Sequence, residues 1–239
     1  MPTSATAVVA VDGPSGSGKS SVSRGVARAL GLRYLDTGAM YRAITWAVLR
    51  DGVDVHDSDA VAEAARSARL SWSTDPDESV MAVDGTDVSR VIREDLVTRS
   101  VSAVAAEPRT RAVLVELQRR AVADALAAGQ GIVVEGRDIG SVVLPDADLK
   151  VWLVADADVR AARRASEDAA AGRLPEPAEV APVVESVALA LARRDALDAG
   201  RAASPTTKAE DAVVVDATHL GLAEVIDVVV GLVRDRTRP

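Results

Sequence analysis

Gly13-Pro14-Ser15-Gly16-Ser17-Gly18-Lys19-Ser20 is the stretch on which the fold turns. It follows an apolar run at 7–11 and leads into Ser21-Val22-Ser23-Arg24-Gly25-Val26-Ala27-Arg28-Ala29-Leu30, a helical pattern stopped by Gly31. Strand, glycine-rich turn, helix is the setting in which G-x-x-x-x-G-K-[ST] reads as a phosphate-binding loop. Glycines let consecutive backbone N–H groups point into one concavity, and the helix adds its positive N-terminal end. Lys19 is then placed to reach the β- and γ-phosphates of ATP, and the Ser20 hydroxyl to ligate Mg²⁺. The expected ATP positions are Gly13, Pro14, Ser15, Gly16, Ser17, Gly18, Lys19, Ser20 and Ser21. A bare strand–helix turn with no ligand is the plain alternative. The loop by itself does not say which group receives the phosphate.

Outward from the loop, the chain alternates strand and helix. Apolar runs at 7–12, 132–135, 149–154 and 212–215 read as buried strands, and Tyr34-Leu35 as a short one. Continuous apolar strands, each followed by a loop or helix, predict a five-stranded parallel sheet covered on both faces. Sites in such sheets form at the carboxyl ends of the strands, where Asp12, Glu135, Asp156 and Asp216 lie. Helical patterns cover 19–30, 39–50, 58–68, 93–106, 108–128, a stretch from about 157, 179–199 and 222–234. Asp36 or Thr37 can cap the second of these, and Pro108 suits the first turn of the fifth.

The pattern breaks between 70 and 88. Residues 70–74 alternate, Asp75-Pro76-Asp77-Glu78 is a turn, and 80–83 is extended; Asp84-Gly85 is a hairpin dipeptide before Asp87-Val88. This predicts a small antiparallel three-stranded insert, shorter than a unit that folds well alone.

Composition narrows the class. The chain has 239 residues and 48% hydrophobic residues, enough for one α/β domain with insertions. Aromatics are 2%, so the core must be Val, Leu, Ile and Ala. A net charge of −8 argues against a broad nucleic-acid or anionic-membrane surface. There is no cysteine, hence no disulfide and no thiolate site; His56 and His219 stand apart without acidic ligands, so no protein zinc site is expected. Neither an export signal nor an apolar run of membrane length is evident, so a soluble cytoplasmic protein is the expectation; a monomer is expected as well.

A phosphoryl-transfer site needs positive charge around the migrating group, because little covalent help is available. Candidates are Arg42 after Tyr41, Arg111 in the first turn of a long helix, Arg137 in the loop after a core strand, Arg160, Arg163 and Arg164 on one helix, and Arg194 with Arg201 flanking Asp198. The last three share one helical face. Each has an ordinary alternative: a solvated face for the 160–164 set and Arg111, a surface ion pair for the 194–201 set, simple capping for Asp36 and Thr37.

These blocks resemble the bacterial cytidylate kinases, the long form among the P-loop nucleoside monophosphate kinases. The resemblance rests on the loop at 13–20, on Asp36-Thr37-Gly38-Ala39-Met40-Tyr41-Arg42, on Glu135-Gly136-Arg137-Asp138-Ile139-Gly140-Ser141-Val142-Val143-Leu144-Pro145-Asp146-Ala147, and on Arg194-Asp195 with Asp198 and Arg201. It covers essentially the whole chain, and the insert is similar to the three-stranded subdomain of the long form. It implies that γ-phosphate passes from ATP to CMP, and to dCMP. Ser102, Arg111 and Asp138 resemble the cytosine-reading residues; Arg194 and Asp198 look like sugar contacts; Arg42, Arg137 and Arg201 look like the acceptor-phosphate clamp, with Thr37 and Tyr41 beside them. Lys19, Arg137, Arg163 and Arg164 would act on the transferring phosphate, and Arg160 on ATP. A carboxylate can accept from the exocyclic amine of cytosine, whereas uracil presents the opposite pattern. Thr37 stands where some members have serine.

The implied organisation is a single P-loop kinase over 1–239. Its core is 7–50, 129–159 and 186–239, its acceptor-side region 51–110, and its helical lid about 160–185. Residues 165–185 match no motif, so which lid arginine meets the phosphate stays open. P-loop kinases for shikimate, gluconate or another nucleotide are the nearest rivals. A GTPase switch or nucleic-acid-stimulated ATPase is further off, since a guanine-reading Asn-Lys-x-Asp is absent.

Overall fold

The computed structural model describes residues 4–170, 180–201 and 206–237. After a single 3₁₀ turn at Ser4–Thr6 the chain enters β1 (Val8–Asp12), the glycine-rich loop and α1 (Lys19–Leu30). Then come β2 (Arg33–Asp36), α2 (Thr37–Arg50), α3 (Ser58–Ser67), and the short strands β3 (Leu70–Trp72), β4 (Met81–Val83) and β5 (Thr86–Asp87). Helices α4 (Asp95–Val104) and α5 (Pro108–Ala127) lead to β6 (Ile132–Glu135) and β7 (Leu149–Val154). The chain closes with α6 (Ala157–Ala170), α7 (Val180–Ala199), β8 (Val213–Asp216) and α8 (Leu222–Arg236).

The main sheet has the order β2-β6-β1-β7-β8, and every pair in it is parallel. Successive side chains on a strand point to opposite faces, and the two faces are filled differently. Val9, Val11 and Val133 join Val22 and Val26 of α1 and Val229 and Val233 of α8 on one side. Ala10, Ile132 and Val134 join Met40 and Ile44 of α2 and Leu114 of α5 on the other. Fully burying such a side chain stabilises by about 1.5–3 kcal/mol.

The insert is a three-stranded antiparallel sheet, β3-β4-β5. Its hairpin turn is Asp84-Gly85, with φ of 52° and 81°, the left-handed pair that a tight type I′ turn requires. It is not a unit with its own core. Met81, Val83, Val88 and Ile92 pack in the same apolar cluster as α2, and the Tyr34 N–H donates to the Thr74 carbonyl at 2.8 Å. A small sheet too short of apolar area thus borrows the main core.

The expected helix at 93–106 is divided. A 3₁₀ turn, Val91–Arg93, precedes α4, and Glu94 between them is extended with ψ 157°. The expected break at 172–177 falls outside the described residues. Carboxyl ends of all five parallel strands face the glycine-rich loop's side of the sheet, so β1, β2, β6 and β7 deliver Asp12, Asp36, Glu135 and Val154 to one rim.

Candidate active site

The glycine-rich loop is a local construction. Gly18 caps α1 in the left-handed conformation, φ 92° and ψ 12°, and contributes no side chain, which leaves the helix's first N–H groups to a ligand. At Gly13, φ is 151° and a Cβ would lie 2.1 Å from the Leu153 carbonyl oxygen; only glycine lets the loop leave β1 this close to β7. Lys19 is buried. Its Nζ donates to the Pro14 carbonyl at 2.6 Å and to Ser17 Oγ at 3.5 Å. Burial, and then the Arg137 charge, push its ammonium down to about 7.

Ser15 is the junction of the loop with everything else. Its N–H donates to Asp195 Oδ1 at 2.9 Å, its carbonyl accepts from Arg160 Nη1 at 2.8 Å, and its Oγ accepts from Arg137 Nη2 at 2.9 Å. Asp195 also accepts from Arg160 at 2.6 Å. Beside the loop, Glu135 ends β6 and accepts from the Tyr34 hydroxyl. Burial and the nearby Asp36 raise its carboxyl, while Tyr34, Lys19 and Ser20 oppose them.

The charged cluster facing the loop is assembled from distant segments. Asp36 caps α2 by accepting from the Ala39 N–H at 2.8 Å and from Arg42 Nη2 at 2.9 Å, and Arg93 stands 3.7 Å away. Burial alone would raise this carboxyl; Arg42 and Arg93 hold it below the usual range. Thr37 turns its hydroxyl to the Glu135 carbonyl at 2.7 Å. The Arg111 guanidinium lies 5.4 Å over the Tyr41 ring and forms a buried ion pair with Asp138.

Asp198 is the hub. It is 2% exposed and accepts from Ser102 Oγ at 3.1 Å, from Arg137 Nε at 3.3 Å and from Arg201, with Arg194 at 4.0 Å. Burial, then Arg137, push Arg194 down to about 9. The Nε atoms of Arg42, Arg111, Arg160, Arg194 and Arg201 are buried without a hydrogen-bond partner. Such unmatched donors are uncommon in a protein interior.

The structure therefore brings Ser15, Arg137, Ser102, Asp198, Arg194 and Arg201 into one network, keeps the Lys19 hydrogen bonds within the loop, and sets Arg111, Asp138 and Tyr41 beside one another. The 160–164 helix face is not simply solvated. Arg160 reaches the loop, whereas Arg163 donates to the Ala217 and Leu220 carbonyls at 2.7 and 3.3 Å, and Arg164 pairs with Asp168 at 3.1 Å. Among the described residues, three carboxylates outside the expected set also enter the site: Asp12, Glu135 and Asp195. The first two were visible as acidic residues at parallel strand ends. Asp195 carried no signal except its place beside Arg194 in a recognisable block.

A loop that presents backbone N–H groups and a lysine at the carboxyl edge of a parallel sheet, faced by clustered guanidiniums, defines a P-loop phosphotransferase. The match to the family model described as Cytidylate kinase spans residues 9–235, and the chain belongs to that family. It is 52% identical to a Mycobacterium avium protein named cytidylate kinase, over 98% of both chains. To a cytidylate kinase of Streptomyces avermitilis it is 50% identical, over 96% of this chain and 93% of the relative. Among solved structures, a gluconokinase from Sinorhizobium meliloti superimposes with a TM-score of 0.45 at 17% identity, covering 96% and 92% of the two chains.

Proposed function

We propose that this chain transfers the γ-phosphoryl group of ATP to CMP and dCMP, with ATP on the 13–21 loop and the acceptor between α2, the 137–138 loop and α7. The observation that carries the reading is Arg137. It donates both to the loop's Ser15 and to Asp198, so donor and acceptor groups belong to one network. Five arginines with a buried, unmatched Nε–H, Arg160 among them, fit two anionic phosphates, since arginine presents its donors in a fork that matches phosphate oxygens.

Asp138 and Ser102, with Arg111, read the cytosine edge; Arg194 and Asp198 hold the sugar; Arg42, Arg137 and Arg201 clamp the acceptor phosphate. A phosphate oxygen of CMP attacks the γ-phosphorus, the bond to the β-phosphate oxygen breaks, and ADP leaves. The acceptor is already anionic at neutral pH, so no strong general base is required. Lys19 and the arginines neutralise the developing charge, and Arg160, Arg163 and Arg164 supply the lid side.

The residues present fit Mg²⁺, a hard cation that takes oxygen ligands: Ser20 has a hydroxyl at the loop's end, and buried Glu135 lies within its reach. Mg²⁺ bound through Ser20 would supply charge neutralisation on the phosphates. The protein acts as a cytoplasmic monomer, without nucleic acid or membrane as partner; among the described residues no helix is long and apolar enough to cross a membrane.

A coupled assay with CMP, dCMP, UMP, AMP and shikimate tests the reading. CMP is expected to lead. UMP, AMP or shikimate outrunning CMP would overturn it.

A further inference from the structure

Asp12 ends β1 and immediately precedes Gly13, the first residue of the donor loop. Its carboxylate feels the charge of Lys19, but its hydrogen bonds run to another segment. Oδ1 accepts from the Ile139 N–H at 2.8 Å and Oδ2 from the Gly140 N–H at 2.7 Å. Asp12 is 5% exposed, so neither bond competes with water. Both carboxylate oxygens hold consecutive amides of the residues directly after Asp138.

Those amides open a single wide turn, Ile139–Val143. Within it the Asp138 carbonyl accepts from the Val142 and Val143 N–H groups at 2.9 and 3.2 Å. The first N–H groups of any helical turn have no partner inside it. Here Asp12 supplies the partner, from a strand that forms the rigid centre of the sheet. Asp138 has φ −145° and ψ 27°, an uncommon backbone pairing, and its carboxylate extends across to Arg111. Its backbone is thus fixed from below by Asp12, and its side chain from above by Arg111.

From this clamp we infer that Asp12 is a positioning residue for the acceptor: its carboxylate holds the Ile139 and Gly140 amides and so fixes where Asp138 meets the base. It lies beside the ATP loop in sequence, yet its side chain serves the other substrate. The inference rests on the assignment of Asp138 to the base, and the experiment separates the two.

The variants are Asp12→Asn, Asp138→Asn and the double variant, each assayed at neutral pH for KM and kcat with ATP and with CMP. In Asp12→Asn one oxygen remains an acceptor and the other becomes an NH₂ facing an N–H donor. The KM for CMP is expected to rise about tenfold, the scale of one hydrogen bond lost at a buried site, with the KM for ATP little changed. The double variant should be hardly worse than Asp138→Asn alone, because Asp12 acts through Asp138. If the two factors multiply, or if ATP and CMP suffer alike, Asp12 is structural and the inference falls. If Asp138→Asn leaves the KM for CMP unchanged, the base assignment fails and takes this inference with it. Should Asp12→Asn not fold, Asp12→Ser, which keeps one acceptor oxygen, carries the same comparison. Amide exchange gives an independent readout: Ile139 and Gly140 should be protected in the wild type and lose protection in the variant, and unprotected wild-type amides would refute the clamp.

Discussion

The two halves of the site are built by different means. The proposed donor half is eight consecutive residues that offer a ligand backbone N–H donors, Lys19 and the Ser20 hydroxyl. The acceptor half draws on α2, α4, α5, the loop after β6, and α7, and is held by ion pairs such as Arg111–Asp138 and Arg201–Asp198. A backbone cradle needs only the right turn, and survives many changes around it. A cluster of buried charges needs every partner present, because a guanidinium left alone in the interior is costly. The two halves should therefore fail differently.

The largest effect is expected at Asp198. Asp198→Ala removes the shared carboxylate of Arg137 and Arg201 and the acceptor for Ser102. Breaking a buried pair by deleting one partner costs about 3–5 kcal/mol, to be read as the loss of unfolding free energy in urea. CMP use should collapse while ATP affinity, by calorimetry, holds. A parallel fall in ATP affinity would break the distinction between the halves.

Lys19→Ala should spare stability and remove turnover. Loss of one group that stabilises transition-state charge lowers kcat by about 10²–10³. CMP affinity should change little, since the Lys19 hydrogen bonds run to Pro14 and Ser17 within its own loop. A CMP affinity lost to a similar degree would mean that the lysine belongs to both halves.

The same contrast explains what the sequence discloses. The donor half and the five parallel strands are legible because their signals are local: a spaced glycine motif, apolar runs, and the Asp84-Gly85 turn. The acceptor residues are legible mainly through resemblance. Nothing in the spacing of Ser102, Asp138 and Asp198 says that one helix, one loop and another helix converge. Asp12 shows itself only as an acidic strand end and Glu135 as that and the start of a family block, and their partners, the 139–140 amides and the Tyr34 hydroxyl, are tertiary. The insert's dependence on the main core was equally hidden, since Met81 and Val83 look like any alternating strand until α2 is seen beneath them.

Asp12 sits on the boundary of the halves and offers a test by pH. Burial raises its carboxyl from 3.8 to about 6; the Ile139 and Gly140 amides and Lys19 pull it down, and Asp138 pushes it up. A carboxyl raised on folding favours the native state while that state keeps its proton. This contribution is present near pH 4 and is lost as pH rises through 6. The wild type should thus lose stability relative to Asp12→Asn across that window, by at most about 3 kcal/mol. Urea unfolding of both proteins at stepped pH measures the slope, and a difference growing in the opposite direction would contradict the burial argument.

The smallest effect is expected where the insert meets the donor helix. Arg28 of α1 donates to Asp77 at 2.6 Å and to the Pro76 carbonyl at 3.2 Å, but the two side chains are 52% and 72% exposed. Exposed pairs contribute about 0–1 kcal/mol and weaken with salt. The insert is held instead by Met81 and Val83 in the core, and by the Tyr34–Thr74 backbone bond. Arg28→Ala should therefore lower stability only slightly at low salt, not detectably at high salt, and leave the KM for CMP unchanged. If the KM for CMP rises severalfold while stability does not, then this surface pair sets the insert's orientation. The acceptor half would then depend on a contact made by the donor helix, and the division between a self-contained loop and an assembled pocket would have to be redrawn at α1.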